Sequence, residues 1–432
     1  MKKIIEKILG ILAKIIIKKY RPFIIGLTGS LGKTSTKEAI ALVLKKKFFV
    51  RASPKNYNNE IGLPLTIIKA QAAGKSLLGW LKVFLKGIFI IIFPVRFPKV
   101  LVLEMAADKP NDIKYLTKIA PCQIGIITAI APVHLEKFKT LENILKEKQI
   151  IVTHLSPSGL AILNTDNKYL SGIKDKIQAK ILSFGFSEGS QVRAIEPKID
   201  QEITEKGELK LYGLNFKVSY KGSIVPFLLP KILAKHQIYS ALVAVSVGLA
   251  MGLNLLEISE SLKEFESPPG RMKLISGLKK SLIIDDSYNS SPTAVLAAFE
   301  TLNEISTIPG RRKIVVLGDM LELGEFSKEA HLLIGQKFAE FHFDLLITVG
   351  QEAKNIAQGA RKAGIREEVI FEFNKTEEAT QFLKEKIIYG DLILVKGSQG
   401  VRMEKIVKEI MAEPEKAGKL LIRQEKRWQE RP

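Results

Sequence analysis

A glycine-rich segment at residues 28 to 35, TGSLGKTS, has the residue types that bind the phosphates of a nucleotide. Gly29 and Gly32 would let the backbone approach a phosphate closely. Lys33 would neutralise the β- and γ-phosphates, and the hydroxyl of Thr34 would bind Mg²⁺. The segment follows an apolar run and precedes a helical one, so unpaired N–H groups and the helix dipole would both face it. The sequence therefore predicts a phosphate-binding loop between a strand and a helix.

Two further residues follow apolar runs in the same way. Glu104 ends the run KVLVLE, and His134 comes after the run QIGIITAI. An α/β sheet binds ligands at the carboxyl ends of its strands, and a carboxylate there is the expected partner of a phosphate-bound Mg²⁺. Glu104 could instead cap the next helix, and a loop histidine alone is more often an ordinary surface residue.

Short apolar runs alternate with helical stretches, which is the pattern of parallel strands joined by crossover helices. The proline-rich joint SPPGR is followed by five strand-like runs, which predict a second doubly wound sheet. We therefore expect an α/β protein. It would have a central P-loop-type ATPase domain with a mostly parallel sheet and a small β-rich insert, followed by a C-terminal Rossmann-like domain.

The chain of 432 residues is too long for one hydrophobic core, so several domains are expected. The sequence predicts limits for each of them. They are 1–22 for a basic amphipathic helix, 23–268 for the central ATP-binding domain, 269–411 for the C-terminal domain and 412–432 for a charged tail that frays or forms a surface helix, with an apolar and basic insertion at 74–98 and a β-rich subdomain at about 180–230.

The net charge of +21 is concentrated near the N-terminus, where the first hundred residues hold 20 lysines and arginines but only three acids. Residues 1–19 and 74–98 are apolar as well as basic, which is typical of helices that lie in a membrane interface. The uninterrupted apolar run from Gly87 to Val95 is too short to span a bilayer. Alternatively, each helix packs on the body of the protein or on a second subunit.

The single cysteine, Cys122, excludes an internal disulfide and a cysteine zinc cluster, which fits a reducing cytoplasm. The lysine clusters are not interleaved with aromatic residues in the manner of stacking platforms, so a nucleic-acid partner is not expected.

Seven sequence blocks taken together resemble the Mur ligases. They are TGSLGKTST, NYNNEIGLPLT, LEMAAD, HLEKFKTLENILKEK, GRMK, DDSYNSSP and LGDMLELGEFSKEAH, which cover roughly residues 23 to 410 in order. The family uses the shorter loop T-G-x-x-G-K-T, which explains why Leu27 stands where the commoner loop needs a glycine. The blocks are most similar to the members that add D-alanyl-D-alanine to a muramoyl-tripeptide. The resemblance therefore implies an ATP-dependent amide-forming ligase of peptidoglycan synthesis that acts through an acyl phosphate.

The resemblance also implies roles for individual residues. The ATP-binding residues would be Thr28, Gly29, Ser30, Leu31, Gly32, Lys33, Thr34, Ser35, Gln237, Arg271, Asp286 and Asn289. The ligands of two Mg²⁺ ions would be Thr34, Glu104, His134 and Lys148, with Lys148 carbamylated. The catalytic residues would be Lys33, Glu104, His134, Lys148 and Arg271, and the substrate contacts would be Asn58, Asn59, Lys396 and Ser398. Without the family, Lys148 is read as a solvated helix lysine. Gln237 and Ser240 stand where the family usually has asparagines.

Only about 25 residues precede the loop, too few for the separate UDP-sugar-binding domain that the family normally carries there. We therefore expect the UDP-linked precursor to be bound differently, or the carboxylate substrate to be another compound, such as a lipid-linked muropeptide. Two alternatives are a folyl or poly-glutamate ligase and a non-catalytic membrane scaffold. The expected form is a cytoplasmic monomer, with peripheral contact to the inner face of the membrane.

Overall fold

A computed structural model describes residues 2–54, 57–131, 135–205, 209–307, 310–425 and 428. The chain forms two compact units. Unit 1 comprises Met1–Glu196, Phe216–Phe227 and Gln237–Phe265, and unit 2 comprises Pro197–Asn215, Leu228–His236 and Glu266–Pro432.

Unit 1 contains a mostly parallel sheet. Its strands are β1 (Phe23–Thr28), β2 (Val50–Ala52), β3 (Val100–Glu104), β4 (Ile124–Ile127), β5 (Leu160–Asn164), β6 (Lys180–Gly185), β7 (Val192–Ile203), β8 (Leu209–Tyr220) and β9 (Ser223–Leu229), and the residues of the last three are divided between the two units. In the described residues the strand order is β2-β3-β1-β4-β5-β6-β7-β8-β9, with parallel pairing from β2 to β7. Strand β1 lies between β3 and β4, so its carboxyl end is a topological switch point, where such sheets bind ligands.

Ten helices of unit 1 are described. They are α1 (Lys2–Tyr20), α2 (Lys33–Lys45), α3 (Gly62–Ile68), α4 (Leu77–Ile92), α5 (Asp112–Ile119), α6 (Leu135–Phe138), α7 (Leu141–Lys148), α8 (Ile150–Thr153), α9 (Gln237–Ala250) and α10 (Leu255–Leu262). Helices α2, α9 and α10 pack together, whereas α1, α3, α4 and α5 share a separate hydrophobic core. Leu101 and Leu103 of β3 belong to that second core. Because alternate residues of a strand point to opposite faces, this core lies on one face of the sheet.

Unit 2 contains a second sheet. Its strands are β10 (Lys273–Ser276), β11 (Leu282–Asp286), β12 (Lys313–Gly318), β13 (Leu345–Val349), β14 (Ile370–Phe373) and β15 (Leu392–Lys396), and its helices are α11 (Pro292–Glu304), α12 (Ser327–Phe338), α13 (Lys354–Lys362), α14 (Thr376–Lys386), α15 (Glu404–Ile410) and α16 (Ala417–Leu420). The strand order among the described residues is β10-β11-β15-β12-β13-β14. Every pair is parallel except β10 with β11.

The predicted α/β architecture is confirmed, and the five strand-like runs after the joint are β11 to β15. Strand β10, a short antiparallel edge strand, was not predicted. In the described part of the predicted tail, α16 is a short helix with Gly418 and Lys419 exposed, as expected of a surface helix, whereas Ala417, Leu421 and Arg423 are buried. The guanidinium of Arg423 pairs at 2.9 Å with the buried carboxylate of Glu404, which makes burial of the charge tolerable.

Helix α1 packs on α3, α4 and α5. Among the described residues, no helix is both long enough and apolar enough to cross a membrane.

Candidate active site

The glycine-rich loop connects β1 to α2 at the switch point of the sheet. Gly32 has φ 78°, a left-handed conformation that glycine adopts without steric cost, and α2 begins at the next residue. A Cβ on Gly29 would lie 2.0 Å from the hydroxyl of Thr128, so only glycine fits there. The side chain of Lys33 turns back over the loop and donates to the carbonyls of Gly29 at 2.8 Å and Ser30 at 3.5 Å. This is the strand, loop and helix that the sequence predicted.

Glu104 is next to the loop, because β3 pairs with β1 and Leu27 lies opposite Glu104. The carboxylate is only 2% exposed. Its Oε1 accepts a hydrogen bond from Asn58 at 3.0 Å, and its Oε2 accepts one from the hydroxyl of Thr34 at 3.3 Å. The ammonium of Lys37 is 3.6 Å from the same Oε2. These contacts are with Asn58, Thr34 and Lys37, so they do not support the alternative in which Glu104 caps the next helix.

Lys148 is the last residue of α7 and is only 3% exposed, so it is not the solvated lysine that its charged neighbours suggest. Burial, together with the nearby ammonium of Lys33, lowers the pKa of Lys148 to about 7. The preceding Glu147 fixes the end of α7. Its two carboxylate oxygens accept backbone N–H groups of Asn111 and Ile113, each at 2.7 Å, at the beginning of α5.

At the beginning of α9, the Oε1 of Gln237 is buried without a hydrogen-bond partner among the described residues. A buried amide oxygen without a partner is costly, and a ligand that donates an N–H group would satisfy it. Ser240, one turn further on, is hydrogen-bonded to Thr36 of α2 at 3.1 Å. Ser240 therefore connects α9 to the helix that follows the loop.

In unit 2, Asp286 at the end of β11 forms a partly buried ion pair with Lys396 at the end of β15, with 2.6 Å between Nζ and Oδ2. Lys396 also donates to the carbonyl of Asn289 at 2.9 Å. The guanidinium of Arg271 stacks on the ring of Tyr288, 4.2 Å from its centroid. These residues therefore form one cluster at the carboxyl edge of the second sheet.

Not every predicted site residue belongs to these two clusters. Asn59 accepts backbone N–H groups of Ile61 and Gly62 with its side chain and so fixes the beginning of α3. Ser398 accepts the N–H of Leu321 at 2.9 Å. His134 lies outside the described residues.

Two residues of the site were not found by sequence reasoning. Lys37 is fully buried beside Glu104, and its signal was its position four residues after Lys33, on the same face of α2. Glu147 gave no signal, because its partners are on α5 and more than 30 residues away in the chain.

A phosphate-binding loop at a switch point, with a buried carboxylate that contacts the threonine of the loop, defines a nucleotide-binding α/β protein. The chain belongs to the Mur ligase family. The Mur ligase middle domain matches residues 27–78 and 93–248, and the Mur ligase glutamate ligase domain matches residues 270–399.

The chain is 29% identical over 403 residues to the UDP-N-acetylmuramoyl-tripeptide–D-alanyl-D-alanine ligase of Bacillus subtilis, which covers 93% of this chain and 79% of that protein. The crystal structure of MurF ligase from Thermotoga maritima in complex with ADP superposes with a TM-score of 0.75 at 27% identity, covering 95% of this chain and 84% of that one. MurF from Acinetobacter baumannii gives 0.74 at 26% identity, with 92% and 79% covered.

Proposed function

We propose that this Mur ligase adds D-alanyl-D-alanine to a muramoyl-tripeptide in peptidoglycan synthesis, with ATP as the energy source. The observation that carries the proposal is the contact of the buried Glu104 carboxylate with Thr34 of the phosphate loop. The names of the similar proteins support the choice of substrates, and the ADP in the Thermotoga maritima structure supports the choice of nucleotide.

The residues fit Mg²⁺, because carboxylate and hydroxyl oxygens are the ligands that this ion prefers. Thr34 and Glu104 would hold one ion, and Glu104, His134 and Lys148 the second. Mg²⁺, when bound, neutralises the charge of the phosphates and so lets two anions approach each other. Asn58 keeps the Glu104 carboxylate oriented through its hydrogen bond of 3.0 Å to Oε1.

Lys148 would serve as a ligand after carbamylation, since an ammonium cannot bind a cation. Its pKa of about 7 supports this proposal, because the neutral amine is the form that reacts with carbon dioxide. In that reaction the amine nitrogen bonds to the carbon of CO₂, and the nitrogen loses a proton. The product is a carboxylate-like group at a position that is buried near Lys33.

In the first step, an oxygen of the tripeptide carboxylate attacks the γ-phosphorus of ATP, and ADP leaves. Lys33 would balance the charge that develops on the phosphates, as such lysines do in phosphate loops. The amine of D-alanyl-D-alanine then attacks the acyl carbon, and the phosphate leaves with formation of the amide.

For the remaining contacts we propose Gln237 for the base, Asp286 and Asn289 for the nucleotide, and Arg271 for its phosphates. The partnerless Oε1 of Gln237 supports the first of these assignments. We also propose that Asn58 and Asn59 contact the tripeptide substrate and that Lys396 and Ser398 contact the dipeptide.

The experiment is phosphate release from ATP with D-alanyl-D-alanine and UDP-N-acetylmuramoyl-tripeptide, and separately with a lipid-linked muropeptide. We expect release only when ATP, the dipeptide and one muropeptide are all present, and loss of release in Lys33→Ala and Lys148→Ala. Phosphate release with a different amine, and not with the dipeptide, would reject D-alanyl-D-alanine as the substrate but would leave the ligase activity in place. If no phosphate were released with any amine, the proposed enzymatic activity would be rejected.

We further propose the domain limits 23–268 and 269–411, which the ranges matched by the two family models support. A cytoplasmic location is proposed because the reaction consumes ATP, and a monomer is proposed as the oligomeric state. Contact with an anionic membrane is a separate proposal, because it rests on α1 and α4 and not on the residues of the ligase site.

A further inference from the structure

Helices α1 and α4 lie side by side and run in the same direction. Leu12 of α1 lies against Gly87 of α4, where a Cβ would come within 2.9 Å of Leu12. At the ends of the two helices, the ammonium of Lys19 donates to the carbonyls of Ile90 and Ile91 at 3.1 and 2.8 Å. The contacts fix the pair as one packed element. We call its exposed residues the α1–α4 face.

Helix α4 is apolar on two opposite sides. One stripe, with residues spaced three and four apart, is buried in the core of unit 1 and consists of Trp80, Val83, Gly87 and Ile90. The other stripe has the same spacing and is exposed, with exposed fractions from 43% to 73%, and consists of Leu78, Leu81, Leu85, Ile88 and Ile92, flanked by Leu77, Phe89 and Phe93. Large apolar side chains that are contiguous along one helix face mark an interaction surface.

Helix α1 exposes apolar residues between basic ones. Ile4, Ile11 and Ile15 are exposed, and the exposed lysines of the helix lie beside them. The exposed basic residues on and near the two helices include Lys2, Lys3, Lys7, Lys14, Lys18, Lys19, Arg21, Lys75, Lys82, Lys86 and Arg96. The only acid within either helix is Glu6. The α1–α4 face therefore combines a long apolar stripe with a strong positive charge.

We propose that the α1–α4 face docks onto the surface of an anionic lipid bilayer. The exposed leucine, isoleucine and phenylalanine side chains enter the interfacial region of the lipids, and the lysines reach the lipid phosphates. Since no described helix can cross a membrane, the helices lie in the plane of the surface. A second copy of the chain is a poorer occupant, because it would bring two lysine-rich surfaces together without compensating acids.

The proposal is independent of the ligase function, and vesicle flotation of the full chain tests it. We expect the protein to float with vesicles of phosphatidylcholine and phosphatidylglycerol and to remain unbound with phosphatidylcholine alone. Raising the salt from 0.05 to about 0.5 M should weaken binding at least tenfold, because exposed charges are then screened. The partition of the triple variant Leu81→Ser, Leu85→Ser, Phe89→Ser onto anionic vesicles at low salt should be at least tenfold weaker than that of the unmodified chain.

The matched control replaces exposed apolar residues outside the α1–α4 face, with the variant Ile224→Ser, Leu256→Ser, Phe326→Ser. It should float like the unmodified chain. The double variant Lys14→Gln, Lys18→Gln, which removes two positive charges from α1, should float less. The double variant Lys354→Gln, Lys362→Gln on α13 should float like the unmodified chain.

Circular dichroism of each variant establishes that it is folded. The proposal is overturned if the unmodified chain does not bind anionic vesicles or if the triple variant and its control float equally. It is also overturned if sedimentation shows a lipid-free dimer that the triple variant dissociates, since the face would then bind a second copy.

Discussion

The buried carboxylate of Glu147 should contribute much more to stability than that of Glu142, the exposed acid of the same helix, because Glu147 holds the beginning of α5. Glu147 is 5% exposed and accepts two backbone N–H groups at 2.7 Å. One of these belongs to Asn111, which has φ 72° and so depends on its surroundings to keep that conformation. Replacement by glutamine leaves one acceptor oxygen and turns an NH₂ group toward the second N–H.

A hydrogen bond to a charged group contributes about 1.5–3 kcal/mol, and a buried N–H left without a partner costs a similar amount. The neutral amide is easier to bury than a carboxylate, which offsets part of this loss. We therefore expect Glu147→Gln to lower the free energy of unfolding of unit 1 by about 2 kcal/mol.

Urea unfolding followed by the fluorescence of Trp80 measures this change, because Trp80 belongs to the same core cluster as Ile144 of α7. Trp428→Phe removes the second tryptophan of the chain from the signal. The matched control is Glu142→Gln on the same helix, whose side chain is 73% exposed and pairs with the exposed Lys146. That change should stay within about 0.5 kcal/mol. The reasoning is refuted if the two glutamine variants unfold at the same urea concentration.

Three further predictions concern other parts of the two units. Gly29→Ala places a methyl group 2.0 Å from the Thr128 hydroxyl and should destabilise unit 1 by about 1–3 kcal/mol. The same variant should bind ADP more weakly in calorimetry. The control Gly189→Ala, whose methyl group meets no atom within 4 Å, should change neither stability nor ADP binding. Asn58→Ala removes the hydrogen bond to Glu104 and should lower kcat/KM for ATP about tenfold to a hundredfold; an unchanged value would show that Glu104 needs no such support. Burial raises the pKa of Asp285 from 3.8 to about 6, so its contribution to stability is complete below pH 3.8 and is lost as the pH rises through 6. Between pH 4 and 7, the free energy of unfolding of the unmodified chain in urea should therefore fall by about 3 kcal/mol relative to that of Asp285→Asn. If the free energies of the two proteins changed in parallel with pH, the shift in pKa would be contradicted.

The loop and the strands around it could be predicted because their signals are local. The apolar run of β1, the glycines and the helical period of α2 lie within a few dozen residues and need no distant partner. Glu104 could be placed for the same reason, since its position at the end of a strand already puts it at the ligand edge of a parallel sheet.

The burial of Lys148 could not be predicted from the residues alone, because its charged neighbours on α7 are typical of a solvated helix. Its environment is set by the contact of Glu147 with α5, which depends on tertiary packing. Arg423 is a similar case, because a charged residue near the end of the chain suggests exposure unless its partner Glu404 is known. For α4 the pattern itself is ambiguous, since both stripes are apolar and only the fold decides which one is buried.

The pairing of α1 with α4 has a consequence during synthesis on the ribosome. Lys19 is followed by 70 residues before Ile90, the first of its carbonyl partners, is made. At about 5–20 residues per second, this interval lasts roughly 4 to 14 seconds. During that time the buried side of α1, with Leu9, Leu12 and Ile16, has no α4 to pack against. The nascent chain therefore presents a basic, apolar helix to its surroundings well before unit 1 can close over it.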